Sequence, residues 1–189
     1  MKTLVIVSHP YYKNSRVTRA LAEAAGAVEN VTVRNIDEMY GSDFAAIDVA
    51  AEQAAHEAAD RIVYLFPVHW FNLTPMLKAY MNAVWAYGWA FGEGGYALEN
   101  KELQIIAPAG AAAETYTREG LVQRTPEDVF SPLEASAYYT SMTYSTPLMF
   151  NGSNAVDDAG LKQWQAAVTE RLQSPLGSHV RGKSARRHH

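Results

Sequence analysis

Short apolar runs at residues 4–7, 31–33, 62–66 and 103–107, with a weaker one at 148–150, recur along the chain with helical segments between them. The runs are continuous rather than alternating. A strand with one face in water alternates polar and apolar residues, so a strand apolar at every position is buried on both faces. Strand and helix in alternation give parallel crossovers, whose helices supply that double cover. The expectation is an α/β fold: a doubly wound, five-stranded parallel sheet of order 2-1-3-4-5 with helices on both faces. Ligands of such sheets bind beyond the carboxyl ends of the strands at the switch point.

The helices can be placed by their caps and stripes. Val17, Ala20, Leu21, Ala24 and Ala25 share a helical face, with Ser15 as N-cap and Gly26 as the stop. The stretch to Asp43 after the second strand reads as loop, and residues 49–59 are helical by propensity. Thr74-Pro75 is a cap followed by proline at the first helical position, and Leu77, Tyr80, Met81 and Val84 form the stripe behind it. Thr125-Pro126 and Ser131-Pro132 are two successive start signals, so the next helix is expected to restart at Pro132. Leu161, Trp164, Val168 and Leu172 mark a last helix, ended by Ser174-Pro175.

A single domain over residues 1–174 follows. Residues 175–189 hold four cations, no acid and a closing histidine pair, and read as a tag-like or disordered tail. Without those four, 12 Lys and Arg stand against 20 Asp and Glu, the reverse of a nucleic-acid footprint. The absence of cysteine excludes thiolate chemistry, disulfides and iron–sulfur ligation, so redox work needs a borrowed cofactor. No leader and no 18-residue apolar span is visible, and a cytoplasmic location is expected. Three histidines, His9, His56 and His69, lack metal-ligand spacing, with His56 expected on a polar helix face, so no metal site is expected.

Three loops at the strand ends carry the chemistry. After the first strand, His9 to Thr18 lead into a helix N-terminus, whose free amides and positive dipole end suit a phosphate. Ser15 and Thr18 add hydroxyls, although a plain capped turn would look alike. After the third strand, Pro67, Val68, His69, Trp70 and Phe71 put two large aromatics in a loop, suited to a flat heteroaromatic ring or to a satellite core. The fourth strand ends in Pro108, Ala109, Gly110 and Ala111, small enough for a ligand to approach the backbone, with Tyr116 beyond. The aromatic, glycine-spaced residues 85–96 are expected to line a pocket or a subunit contact.

Ser8-His9-Pro10, Phe66-Pro67 with Trp70, Pro75 with Leu77-Lys78, Gly88-Trp89-Ala90-Phe91, and Gly110 with Tyr116 six residues on resemble the flavodoxin-like NAD(P)H:quinone oxidoreductases. The likeness is nearest to the short bacterial members, among them general stress oxidoreductases and ancillary subunits of glutathione-gated potassium efflux systems. It runs from Met1 to about Leu172. The resemblance implies a homodimer with flavin at the interface. It also implies two-electron ping-pong transfer from NAD(P)H to a quinone-like acceptor, with flavin-dependent transporter regulation or nitro/azo reduction as alternatives.

By the same match, His9, Ser15, Arg16, Val17 and Thr18 would hold the flavin phosphate. Pro67, Val68, His69, Trp70 and Phe71 would flank the isoalloxazine, and Pro108, Ala109, Gly110 and Ala111 would bond its pyrimidine edge. Tyr116 would act as the catalytic residue that neutralises charge on the reduced ring. The cofactor implied is FMN, with FAD the alternative, and NAD(P)H is the co-substrate. Two departures stand out: Pro108-Ala109-Gly110-Ala111 replaces the family's Thr-Thr-Gly-Gly, and Val122 occupies the place of the histidine that partners the tyrosine in longer, animal-type members.

Overall fold

The computed structural model describes residues 1–182. In chain order the elements are β1 (Thr3–Val7), α1 (Arg16–Gly26), β2 (Val31–Asn35), α2 (Ile36–Tyr40), α3 (Val49–Glu57), β3 (Arg61–Leu65) and α4 (Pro75–Val84). They continue with β4 (Glu102–Ala109), α5 (Pro126–Tyr139), β5 (Thr143–Ser145), β6 (Leu148–Asn151), α6 (Asp158–Gln173) and β7 (Val180–Arg181). The sheet runs β2-β1-β3-β4-β5-β7, and β6 also pairs with β4. The expected order 2-1-3-4-5 is present in the parallel core.

Every residue of β1, β3 and β4 is buried. Leu4, Ile6, Ile62, Tyr64 and Leu103 face one way, into a core closed by α4 and α5. Val5, Val7, Val63, Leu65 and Ile106 face the other way, into a core closed by α1 and α6. The two-residue period of the strand thus divides each continuous run between two cores.

Four sequence expectations need correction. The fifth strand is two pieces: Pro147, with no amide to give the ladder, separates β5 from β6, and the polar Thr-Tyr-Ser of β5 has no apolar signature. The stretch to Asp43 read as loop contains α2, a five-residue helix too short for periodicity, capped by the Asn35 side chain at the Glu38 amide (3.2 Å). No restart occurs at Pro132, which lies inside a continuous α5. The Asp128 carbonyl, orphaned by proline, accepts instead from Ser131 Oγ at 3.0 Å. Residues 85–96, expected to line a pocket or a subunit contact, are absent from the lining of the strand-end cavity, and a subunit contact stays open to them. Trp85 and Trp89 donate to Tyr64 Oη (2.9 Å) and Glu57 (2.7 Å), folding the segment onto the core. A Cβ at Gly95 would meet the Phe91 carbonyl at 2.1 Å, so only glycine closes this strap.

The placed chain also continues beyond residue 174. Val180–Arg181 pairs antiparallel with β5, and the Gly177 amide donates to Glu102 Oε1 at 3.0 Å. The closing histidine pair of the expected tail lies outside the described residues. Glu102 shares a buried ion pair with Arg61, its register partner across β3 and β4. Arg61 in turn donates to the carbonyls of Leu172 (3.2 Å) and Ser174 (2.9 Å), neutralising the carboxyl end of α6.

His56, expected on a polar face, is fully buried. Its Nδ1 meets the Glu52 carbonyl at 2.7 Å, and a carbonyl only accepts, so Nδ1 carries the proton. Nε2 must then accept from Tyr64 Oη (3.0 Å), which itself accepts from Trp85 Nε1. This one-way chain holds the ring neutral, and burial pushes its pKa from 6.5 down to about 4. A lowered base favours the folded state above its unfolded pKa, and that stabilisation is lost as pH falls from 6.5 through the folded value. The shift to about 4 corresponds to about 3 kcal/mol. Urea unfolding should therefore show stability falling between pH 6.5 and 4, with a shallower fall in His56→Gln.

Candidate functional site

The carboxyl ends of β1, β3 and β4 open onto a cavity of about 600 Å³. Its first wall is the loop from β1 to α1. Ser15 caps α1 by accepting from the Thr18 amide at 3.1 Å, which leaves the amides of Arg16 and Val17 without intrahelical acceptors. The first turn holds no acid. Arg16 instead puts a cation at the positive end of the helix, an unfavourable position by itself. It is held by the Val156 carbonyl and the Asp158 carboxylate, each at 2.7 Å. Amides, dipole and guanidinium together make this pole attractive to an anion.

His9 borders the same pole. Its Nδ1 accepts from the Tyr11 amide at 2.9 Å, so the proton sits on Nε2. Burial, with the His69 ring 5.8 Å away, holds its pKa below the ordinary value, so the neutral imidazole donates near pH 7.

The second wall is Pro67, Val68 and His69. Val68 donates its amide to Pro108 at 2.9 Å, which ties this loop to the end of β4. The backbone then reverses in two residues: His69 and Asn72 exchange amide–carbonyl bonds of 3.3 and 3.1 Å around Trp70 and Phe71. Both central residues have positive φ, 48° and 60°. A turn of this kind normally takes Asn-Gly, so two aromatics here store strain beside the cavity. Trp70 projects outward, 91% exposed, and Phe71 lies against the Tyr116 ring, centroids 5.8 Å apart.

The third wall is Pro108 and Gly110. A Cβ at Gly110 would stand 2.8 Å from Asn154 Nδ2, so a larger residue here would push the Asn154 side chain aside. The amides of Gly152 and Ser153 bond the carbonyls of Ala111 and Ala109, both at 3.0 Å, and lock the two loops together.

The cavity therefore gathers His9, Ser15, Arg16, Val17, Thr18, Pro67, Val68, His69, Pro108 and Gly110 from the sequence expectations. Trp70, Phe71, Ala109, Ala111 and Tyr116 are not in its lining. Ala109 closes β4 facing inward, and Ala111 contributes its carbonyl to the loop clamp. Tyr116 sits behind Phe71, nearly buried, which raises its pKa, and its hydroxyl has no hydrogen-bond partner among the described residues. Phe71 and Val122 border a separate cavity of about 540 Å³. Sequence reasoning missed Tyr11, Asn14, Ser153 and Asn154. The last two follow the short strand β6, and polar turn residues carry no signal of their own.

A family model described as flavodoxin-like fold matches residues 1–172. The chain belongs to that family. General stress protein 14 of Bacillus subtilis is 36% identical over 176 residues, covering 93% of this chain and 99% of the relative. The glutathione-regulated potassium-efflux system ancillary protein KefF of Salmonella arizonae is 36% identical over 170 residues, 89% and 94% of the two chains.

Among solved structures, a protein named as a thermophilic tryptophan halogenase from Streptomycin violaceusniger aligns with a TM-score of 0.87 and 32% identity, over 92% of this chain and 99% of that one. General stress protein 14 of Treponema denticola in complex with FMN aligns with a TM-score of 0.81 and 32% identity over 91% and 96%. An NADPH-quinone reductase from P. pentosaceus aligns with a TM-score of 0.82 and 26% identity over 93% and 99%.

The anion pole can be tested without any organic ligand. Ser15→Ala should lower the urea-unfolding free energy by about 1 kcal/mol. It should also shrink the rise in Tm that inorganic phosphate gives the unsubstituted protein.

Proposed function

We propose that the protein is an FMN-dependent NAD(P)H:quinone-type oxidoreductase, active as a cytoplasmic homodimer. The observation that carries this reading is the polarity of the strand-end cavity. One pole presents unpaired amides, Arg16 and His9, matched to a phosphate. The other is a slot between Pro67–His69 and Pro108–Gly110, with apolar edges and close backbone, matched to a flat ring. About 600 Å³ lies within the range of organic cofactor sites. FMN in the Treponema relative supports the same group here, with FAD the alternative, and the NADPH-quinone reductase from P. pentosaceus supports the reaction class.

Bound FMN would supply the two-electron hydride chemistry; the rest falls to the chain. Ser15, Arg16, Val17, Thr18 and His9 anchor the phosphate. Pro67, Val68 and His69 orient one edge of the ring, and the backbone of Pro108, Ala109, Gly110 and Ala111 holds the other. Tyr116 lies behind Phe71, and movement of that ring would let its hydroxyl donate toward developing negative charge; Val122 leaves it without a histidine partner. Each acceptor takes up one hydride and one proton, giving a hydroquinone and NAD(P)⁺. Trp70, exposed beside the cavity in the single chain, is the residue a second copy would cover.

A second reading draws on the efflux relatives: a flavin-binding subunit that docks on a membrane transporter. No helix among the described residues is long and apolar enough to cross a membrane, so such contact would be peripheral. Nitro or azo compounds are the alternative acceptors.

Purified protein should bind FMN, with a flavin absorption band in the visible, and should oxidise NAD(P)H with a quinone. Flavin retained without turnover would favour the transporter reading, and failure to bind FMN or FAD would overturn both. In stopped flow, Tyr116→Phe should retain flavin and slow its reduction on the order of 10²-fold, the usual cost of removing one preorganised donor.

A further inference from the structure

Behind the anion pole lies a hydrogen-bond chain with a fixed direction. Thr74 Oγ1 accepts from the Leu77 amide at 3.2 Å as the cap of α4, so its own proton points elsewhere. Ser8 Oγ is the hydroxyl within reach, and both side chains are fully buried. Ser8 accepts from Thr74 and passes its proton to Asp37 Oδ2. A carboxylate only accepts, so it is the terminus that gives the chain its direction.

Three elements meet at this carboxylate: the end of β1 through Ser8, the N-terminus of α4 through Thr74, and α2, which carries Asp37. His9 is therefore flanked by two fixed points: Ser8, its chain neighbour, is tied to Asp37, and the Tyr11 amide holds its ring. With Nδ1 occupied, Nε2–H is the donor left for the cavity that His9 lines.

We propose that Asp37 is a positioning residue for the anion pole: its carboxylate sets the path of the β1–α1 loop and thereby aims the His9 imidazole at the ligand's phosphate. The inference rests on the flavin reading above. It extends that reading to a residue outside the cavity lining, on a helix whose Asp37 and Glu38 border a neighbouring cavity together with His9, Tyr11 and Asn14. Asp37→Asn keeps the shape but replaces an oxygen acceptor with a donor. Ser8 can then face an N–H where it now donates, which removes the fixed acceptor end of the chain and frees the loop to shift.

The experiment compares FMN with riboflavin, which lacks the phosphate, by fluorescence titration of the full chain. Asp37→Asn is expected to weaken FMN about tenfold and leave riboflavin unchanged; Ser8→Ala, which removes the middle of the chain, is expected to change the FMN-to-riboflavin ratio in the same direction. Nitrogen-15 shifts of the His9 imidazole provide a flavin-free readout. They should report protonated Nε2 in the unsubstituted protein and a tautomer mixture in Asp37→Asn. Equal weakening of both flavins would mean general loosening and would overturn the proposal, as would an unchanged affinity ratio with unchanged His9 shifts. If the unsubstituted protein binds neither flavin, the functional reading fails, and the His9 shifts still decide the role of Asp37.

Discussion

Burial of both faces of β1, β3 and β4 is the constraint from which the rest follows. Fifteen or more consecutive-face positions cannot be covered by one layer, so helices must pack on both sides, and the crossovers that place them there make the strands parallel. Parallel strands end together. Their carboxyl ends deliver Ser8, Phe66 and Ala109 to one rim, and every loop of the cavity grows from that rim.

The two rims handle polarity differently. At the amino ends, Arg61 and Glu102 are buried together, and their remaining hydrogen-bond capacity is taken by the carbonyls after α6 and by the Gly177 amide. Glu52 is likewise closed, bonded by Arg34, Tyr40 (2.7 Å) and Tyr80 (2.8 Å). These contacts hold its carboxyl below the usual range despite the opposing effect of burial. Removing one partner of such a satisfied group typically costs 3–5 kcal/mol, roughly, because the other is left buried and alone. At the carboxyl rim, amides at the start of α1 and the Nε2–H of His9 border the cavity without a partner among the described residues. Strain is stored there too, in the left-handed Trp70 and Phe71.

The sheet and most helices were legible because burial on two faces and capping both leave local marks. Leu4 to Val7, Ser15 and Thr74-Pro75 each state their role within a few residues. The loops after β1, β3 and β4 could be named for the same reason. What escaped was non-local or too short to repeat. Asp37 sits on a five-residue helix, and its partners Ser8 and Thr74 are distant in sequence. His56 looked like a surface residue of an alanine- and glutamate-rich helix because only the packed Tyr64 and Tyr80 rings reveal its burial. Pro132 reads as a break until Ser131 is seen to bond the carbonyl it orphans. Trp70 and Phe71 were read from their aromatic character, and the reversal that turns Trp70 away from the cavity needs backbone angles that composition does not carry.

The clasp between Arg16 and Asp158 joins residues 142 apart, and Ser153 and Asn154 complete a cavity begun at His9. Contacts of such separation form late, because the loop they close must be ordered before they contribute. During synthesis the first two walls would therefore exist as a half-built cleft until the chain past α6 has emerged. A ligand that needs all the walls arrives only at a finished fold, and its binding then deepens a native state that already exists instead of nucleating one.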